Sequence, residues 1–212
     1  MDKPSTDIEI CNLALDRLGT RGIASLITPT TETENICARH YDQTRRWVLR
    51  RFLFNFAKKY ATLEESTDVS PSYGYDAAFY LPDDFIRLLS VGNLPDMNVL
   101  RGRDYDIVEN YLYTSLDDDG DLKVSYIKDA KLVTEFDPLF IDVLQLKLAA
   151  NMSPKFVQKP SVIREIRADL ADAVLAAAAI SGQEKPPVRI ESSKWIAARQ
   201  TGRGNADNTR MP

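Results

Sequence analysis

The sequence predicts an α+β fold that is mainly α: an antiparallel helical bundle with an inserted small β section and an extended C-terminal arm. Three observations lead there. Two helix starts near the N-terminus carry full capping signals, helical periodicity returns after Asp137, and the stretch between them alternates short apolar runs with turn residues. The chain has 212 residues, 44% of them hydrophobic, enough to bury a real core. The expected division is 1–59 with 136–182 as the bundle, 60–135 as the β insertion and 183–212 as the arm.

Thr6 and Glu9 form the first capping box, and Ile8, Cys11, Leu15 and Leu18 follow at helical spacing until Gly19 stops the helix. Thr31 and Glu34 form the second. Ile36, Cys37, Tyr41, Thr44 and Val48 continue its apolar stripe towards Phe56 or Ala57, with Arg39, Arg45, Arg46 and Arg50 placed largely away from that stripe. Phe52, Phe54, Phe56 and Tyr60 read as a core hinge between helix and sheet. In the β section, Ala77–Leu81 and Ile86–Val91 flank the turn Pro82-Asp83-Asp84. A longer hairpin is expected between 106–116 and 122–127, turning at Asp119-Gly120. Asp137-Pro138 opens a third helix, which Asn151–Pro154 is expected to interrupt. A fourth opens near Ser161 and runs to about Ser181. Its Ile166, Leu170, Ala173 and Ala177 form a stripe of small residues that admits a close neighbour. From Gln183 onward, prolines, glycines and scattered charge forbid a core, leaving an arm with Trp195-Ile196 as its one large anchor.

The net charge of −4 hides a segregation. Residues 31–60 carry 7 basic and 3 acidic side chains, residues 61–135 carry 6 and 16, and residues 183–212 carry 6 and 3. Such a pattern favours head-to-tail association and steering. Arg39, Arg46 and Arg50 are accordingly candidate subunit-interface residues, and Trp195, Ile196, Arg199 and Arg203 candidate docking residues.

Several chemistries find little support. No apolar run reaches the roughly 20 residues of a membrane span, and Met1–Asp7 is polar and acidic, unlike a secretory signal. Two cysteines and one histidine do not make a disulfide framework, a four-ligand zinc site or a His-based triad, and no cofactor is expected. Asp117, Asp119 and Asp121 have calcium-loop spacing, but Leu122 and Lys128 stand where that loop needs Gly and Glu. An acidic turn is the better reading. Asp83 and Asp84 read as a turn or cap rather than as the paired acids of a glycosidase.

Several pieces in order resemble the podovirus tail tubular protein A family of phage head–tail adaptors. They are Leu13-Ala14-Leu15 with Leu18-Gly19, then Ile23-Ala24-Ser25-Leu26, then Ala38, Tyr41 and Arg45 ahead of the run Phe52–Ala57 and Ala61-Thr62-Leu63. Leu81-Pro82-Asp83-Asp84-Phe85-Ile86-Arg87-Leu88, Tyr126 and the run Phe136–Phe140 leading into Leu148-Ala149-Ala150 complete the set. The similarity covers about residues 7–181, and Phe52 stands where the family often has Trp. The resemblance implies a non-enzymatic virion protein, assembled in the host cytoplasm. It implies a ring, a dodecamer in that family, that joins the portal protein to the tail nozzle protein and lets genomic DNA pass without sequence-specific binding. Asp117, Asp118, Asp119 and Asp121 would then face the nozzle or the channel. The competing readings are a peptidoglycan-degrading hydrolase of the tail, using Asp83, Asp84 or Asp117–Asp121, and a DNA-binding helical module using Arg39–Arg51.

Overall fold

A computed structural model of the chain describes residues 3–71, 74–91, 105–115 and 121–183. The chain divides into two units, Met1–Gly182 and Gln183–Pro212. The second holds the expected arm with Trp195, Ile196, Arg199 and Arg203 and, beyond Gln183, lies outside the described residues. The first holds the helices and sheets.

Helix α1 spans Asp7–Arg17 and α2 spans Glu32–Arg51, each started by its expected capping box. Thr6 Oγ1 accepts from Glu9 N at 3.2 Å, and Glu9 Oε2 accepts from Thr6 N at 3.1 Å. Gly19 takes φ +64, the left-handed conformation that lets the chain leave α1. The loop between the helices is clamped from both sides. Asn12 Oδ1 accepts from Ile23 N at 2.7 Å and its Nδ2 donates to Ile23 O at 3.2 Å. A Cβ on Gly22 would stand 2.9 Å from Asn12 Oδ1, so the close approach needs glycine there. From the other side Glu34 accepts the backbone N–H groups of Ala24, Ser25, Thr30 and Thr31 within 3.2 Å. Those hydrogen bonds, led by Thr30 and Thr31, hold its carboxyl down at about 2.

Helix α2 stops five or six residues before the expected end. Phe52, Phe54 and Phe56 are spaced by two, a period that an extended backbone places on one side and a helix scatters. Phe52 is extended (φ −118, ψ 156), and a 3-10 turn follows over Asn55–Ala57. The rings then close on the third helix, with Phe54 5.2 Å and Phe56 5.1 Å from Phe140.

Helix α3 spans Pro138–Phe156, capped by Asp137, whose carboxylate accepts from Leu139 N at 2.8 Å. The expected interruption at Asn151–Pro154 does not occur. Pro154 sits in the last turn, where it removes the N–H that would meet Ala150 O, and the Ser153 hydroxyl donates to that carbonyl instead at 2.9 Å. Helix α4 spans Pro160–Gln183 and turns its small-residue stripe inward: Ile166 and Ala177 are buried, Leu170 and Ala173 partly so. Helix α3 packs against both α1 and α2.

The expectation of a mainly α chain with a small β section is not met. Among the described residues 49% are helical and 22% are strand, and the strands form two three-stranded antiparallel sheets. The strands are β1 (Lys58–Glu64), β2 (Ala77–Tyr80), β3 (Phe85–Val91), β4 (Tyr105–Val108), β5 (Tyr111–Thr114) and β6 (Asp121–Lys128). Sheet A has the order β1-β6-β3 and sheet B the order β2-β5-β4. The hairpin expected around Asp119-Gly120 is therefore also corrected, because β5 and β6 belong to different sheets. The run expected as one strand from 106 to 116 itself folds back. Val108 pairs with Tyr111, leaving Glu109-Asn110 as a two-residue turn with Glu109 at φ 56. Glutamate in a position that favours glycine concealed that turn.

Two apolar cores result. One joins the four helices to Ile127, Ala130 and Val133. The other lies between the sheets and includes Leu63, Phe79, Leu88, Leu112, Leu122, Val124 and Tyr126. Strand β6 serves both: Leu122, Val124 and Tyr126 on one face, Ile127 on the other. Arg45, expected on the outward side of α2, is instead buried at 2% exposure. It donates to Asp129 Oδ1 at 2.6 Å, Ala130 O at 2.5 Å and Asp42 Oδ1 at 3.0 Å. This ties α2 to the exit of β6. Among the described residues no helix is long and apolar enough to cross a membrane.

Candidate interaction surfaces

The three expected interface arginines are exposed, but two are engaged with residues beyond their own helix. Arg46 reaches Asp129 Oδ2 from Nε at 3.0 Å and from Nη2 at 2.9 Å. Arg50 Nη1 donates to Ile86 O at 3.2 Å, at the entry of β3. Arg39 Nε donates to Asn35 O of its own helix at 3.2 Å. The structure thus brings Arg46 and Arg50 to the seam between α2 and sheet A and leaves Arg39 apart from it. Of the expected acidic group, Asp121 opens β6, exposed and directly opposite Glu64. Asp117, Asp118 and Asp119 lie outside the described residues.

The pair Asp83 and Asp84 is built into the frame. Asp84 Oδ1 accepts from the Tyr126 hydroxyl at 2.7 Å and Oδ2 from Lys59 Nζ at 2.8 Å. Burial pushes the Asp84 carboxyl up, but the Lys59 and Tyr126 hydrogen bonds outweigh it and leave it below its ordinary value. A glycosidase acid needs the opposite displacement. Asp83 accepts from the Tyr80 hydroxyl at 3.3 Å.

Two faces of the β unit, neither singled out from sequence, carry the more distinctive chemistry. On the face of sheet A turned away from sheet B, one row across the strands is Tyr60, Ser125 and Ser90, and the next holds Thr62 and Lys123. Two serines beside a tyrosine leave a dent, a cleft of about 450 Å³ lined by those residues with Ala61 and Val124. The Ser90 and Ser125 hydroxyls stand 2.6 Å apart at its floor. Tyr60 is 73% exposed, with Lys58 Nζ 4.8 Å from its ring centre. Lys58, Arg87 and Lys123 are exposed on this face, and no ion pair involves them among the described residues.

The outer face of sheet B is different. Tyr80 pairs with Tyr111, and Tyr113 lies between Ala78 and Asp106. The rings of Tyr80 and Tyr111 are 5.7 Å apart, those of Tyr111 and Tyr113 6.5 Å, and those of Tyr113 and Tyr75 6.4 Å. Asp76, Asp83, Asp106 and Glu109 border this ladder and form no ion pair among the described residues. The sequence signal was present as Tyr111-Leu112-Tyr113, a strand alternation with aromatic residues on the outer side.

Large apolar side chains are also exposed on well-braced elements. Ile27, on the loop clamped by Asn12 and Glu34, is 95% exposed, and Leu175 on α4 is 68% exposed. No protein-family model matches the chain, and no curated protein matches it.

Proposed function

We propose that the chain is a structural subunit of a phage head–tail adaptor ring, placed between portal and tail nozzle. The observation that carries this reading is where the resembling segments fall: they are joints of the frame. Ile23–Leu26 is the loop clamped by Asn12 and Glu34. The run Phe52–Ala57 meets Phe136 and Phe140 in one aromatic cluster. The turn Pro82-Asp83-Asp84 is tied by Lys59 and Tyr126. Motifs that brace a scaffold support a mechanical role for it.

In this reading the arm docks on the portal or on an adjacent subunit through Trp195, Ile196, Arg199 and Arg203. The acidic end of sheet A at Glu64 and Asp121 points to the nozzle or the channel, where negative charge keeps DNA sliding. The test is coexpression with a podovirus portal protein followed by electron microscopy. The expected result is a ring of this protein seated on the portal, lost when the chain is cut after Gly182. Portals that stay bare at micromolar protein overturn the reading.

A further inference from the structure

The two outer faces of the β unit differ in charge. Sheet A presents Lys58, Arg87 and Lys123 around a cleft, with Glu64 and Asp121 beyond Lys123 at the end of the same face, and sheet B presents Asp76, Asp83, Asp106 and Glu109 around a tyrosine ladder. The cations of α2 do not offer a comparable surface. Arg45 is buried, and both Arg45 and Arg46 are already matched by Asp129. Arg39, Arg50 and Arg51 of α2 are also exposed outside any ion pair among the described residues, but the cations of sheet A are the ones gathered around a cleft.

We propose that the tyrosine face of sheet B in one copy docks on the cleft face of sheet A in the next. Charge complementarity selects the occupant: an acidic, tyrosine-bearing surface is what three cations outside any ion pair and an exposed ring attract. The chemistry of the cleft agrees. Of two hydroxyls in mutual contact, one donates to the other, and the second keeps its own proton to donate outward. An incoming tyrosine hydroxyl or carboxylate accepts that proton. Tyr60 and Tyr80, 73% and 48% exposed, supply the large rings that anchor interfaces. Because the two faces are different surfaces of one chain, the contact is heterologous. It propagates from copy to copy and closes into a ring only if the rotation per copy permits. This names the subunit contact for the adaptor reading, but the contact itself needs no portal.

Sedimentation velocity of the purified chain tests it, at low and at 0.5 M salt. The wild-type protein should associate with rising concentration at low salt and lose that association at high salt. The double variants Lys58→Glu/Lys123→Glu and Asp76→Lys/Asp106→Lys alter exposed side chains only, and thermal melts establish that each is folded. Each alone should weaken association by roughly tenfold or more. An equimolar mixture of the two should restore it, because each variant then meets a face of opposite sign. Tyr60→Ala should weaken it as well, which charge attraction without a defined contact does not require. Wild-type protein that stays monomeric at low salt, reversed variants that associate normally, or a mixture no better than its parts overturns the contact. Association as expected with portals left bare keeps the contact and removes the adaptor reading. Rings on portals formed equally by the reversed variants do the converse.

Discussion

At Arg45 a full charge sits 2% exposed between α2 and the exit of β6, whereas Leu122, fully buried between the sheets, is held by apolar contact. The helical half fixes its joints with buried or half-buried polar clamps: Asn12 on Ile23, Glu34 on the following loop, Arg45 on Asp129 and Ala130. The β half closes two small sheets over one apolar layer and keeps most of its polar groups at the rims. Polar clamps are directional, so they define one geometry; apolar layers tolerate exchange of shape if volume is kept. The helical half thus holds more of its joints by directional contacts, the comparable tie in the β half being Asp84 on Lys59 and Tyr126, and the β half carries the surfaces that vary in charge.

The largest effect should come from breaking the buried pair. Arg45→Ala leaves Asp129 buried with only Arg46 beside it and should lower stability by about 3–5 kcal/mol. Denaturant unfolding measures this. The double variant Arg45→Met/Asp129→Leu should recover much of that loss, because removing both charges also removes their desolvation cost. If the double variant is as unstable as Arg45→Ala, the hydrogen bond to Ala130 O matters more than the charge pair.

Next comes the β core. Leu122→Ala should lower stability by about 2–5 kcal/mol. Because β6 contributes to both cores, the loss should appear in one transition, with far-ultraviolet circular dichroism and tyrosine absorbance moving together. Separate midpoints for the two probes would show that the halves unfold independently and that Ile127 couples them weakly.

How much of this was legible in the sequence differs between the halves for the same reason. Local rules decide a helix end, and these were readable: both capping boxes, Gly19, and Asp137-Pro138 stand where expected. The exceptions were tertiary. The end of α2 depends on Phe54 and Phe56 meeting Phe140, and α3 passes through Asn151–Pro154 because the Ser153 hydroxyl takes the Ala150 carbonyl that Pro154 leaves without an N–H. Strand pairing is non-local, and the one local clue that mattered, Glu109-Asn110, lacks the glycine that marks a tight turn. Reading 106–116 as a single strand removed sheet B from view, and with it the tyrosine face. The buried state of Arg45 was equally hidden, since two of its three acceptors, Asp129 and Ala130, lie more than 80 residues away.

A smaller effect separates the halves by pH. Glu34 has an ordinary value of 4.5 and is held at about 2 in the folded chain. A depressed folded value means the stabilisation is complete above the unfolded value and fades as pH falls from about 5 towards 2. Glu34→Gln should flatten the acid limb of melting temperature against pH and change little in its slope at pH 7 and above. It should also loosen the clamped loop, read as faster amide exchange at Ala24, Ser25, Thr30 and Thr31. An acid limb identical to wild type would show that other carboxylates govern acid unfolding.

The smallest expected effect concerns two left-handed positions, one in each half. Gly19 at φ +64 has no atom within 4 Å of a built Cβ, so only backbone conformation resists a side chain there. Glu109 holds the same kind of conformation, φ 56, without being glycine. A left-handed residue with a Cβ is strained by about 1–2 kcal/mol, and glycine loses about 0.5–1 kcal/mol through its freer unfolded chain. Gly19→Ala should therefore destabilise and Glu109→Gly should stabilise, each by about 0.5–1 kcal/mol, or roughly 2 °C in melting temperature. Glu109→Gly also removes one carboxylate from the acidic face of sheet B. Glu109→Asn, which accepts the left-handed region and removes the same charge, separates the two contributions. If both variants weaken copy-to-copy association while only the glycine variant melts higher, the strain and the charge at this turn are independent. If neither melts higher, the β4–β5 turn is not strained at Glu109, and the contrast between the halves rests on the polar clamps alone.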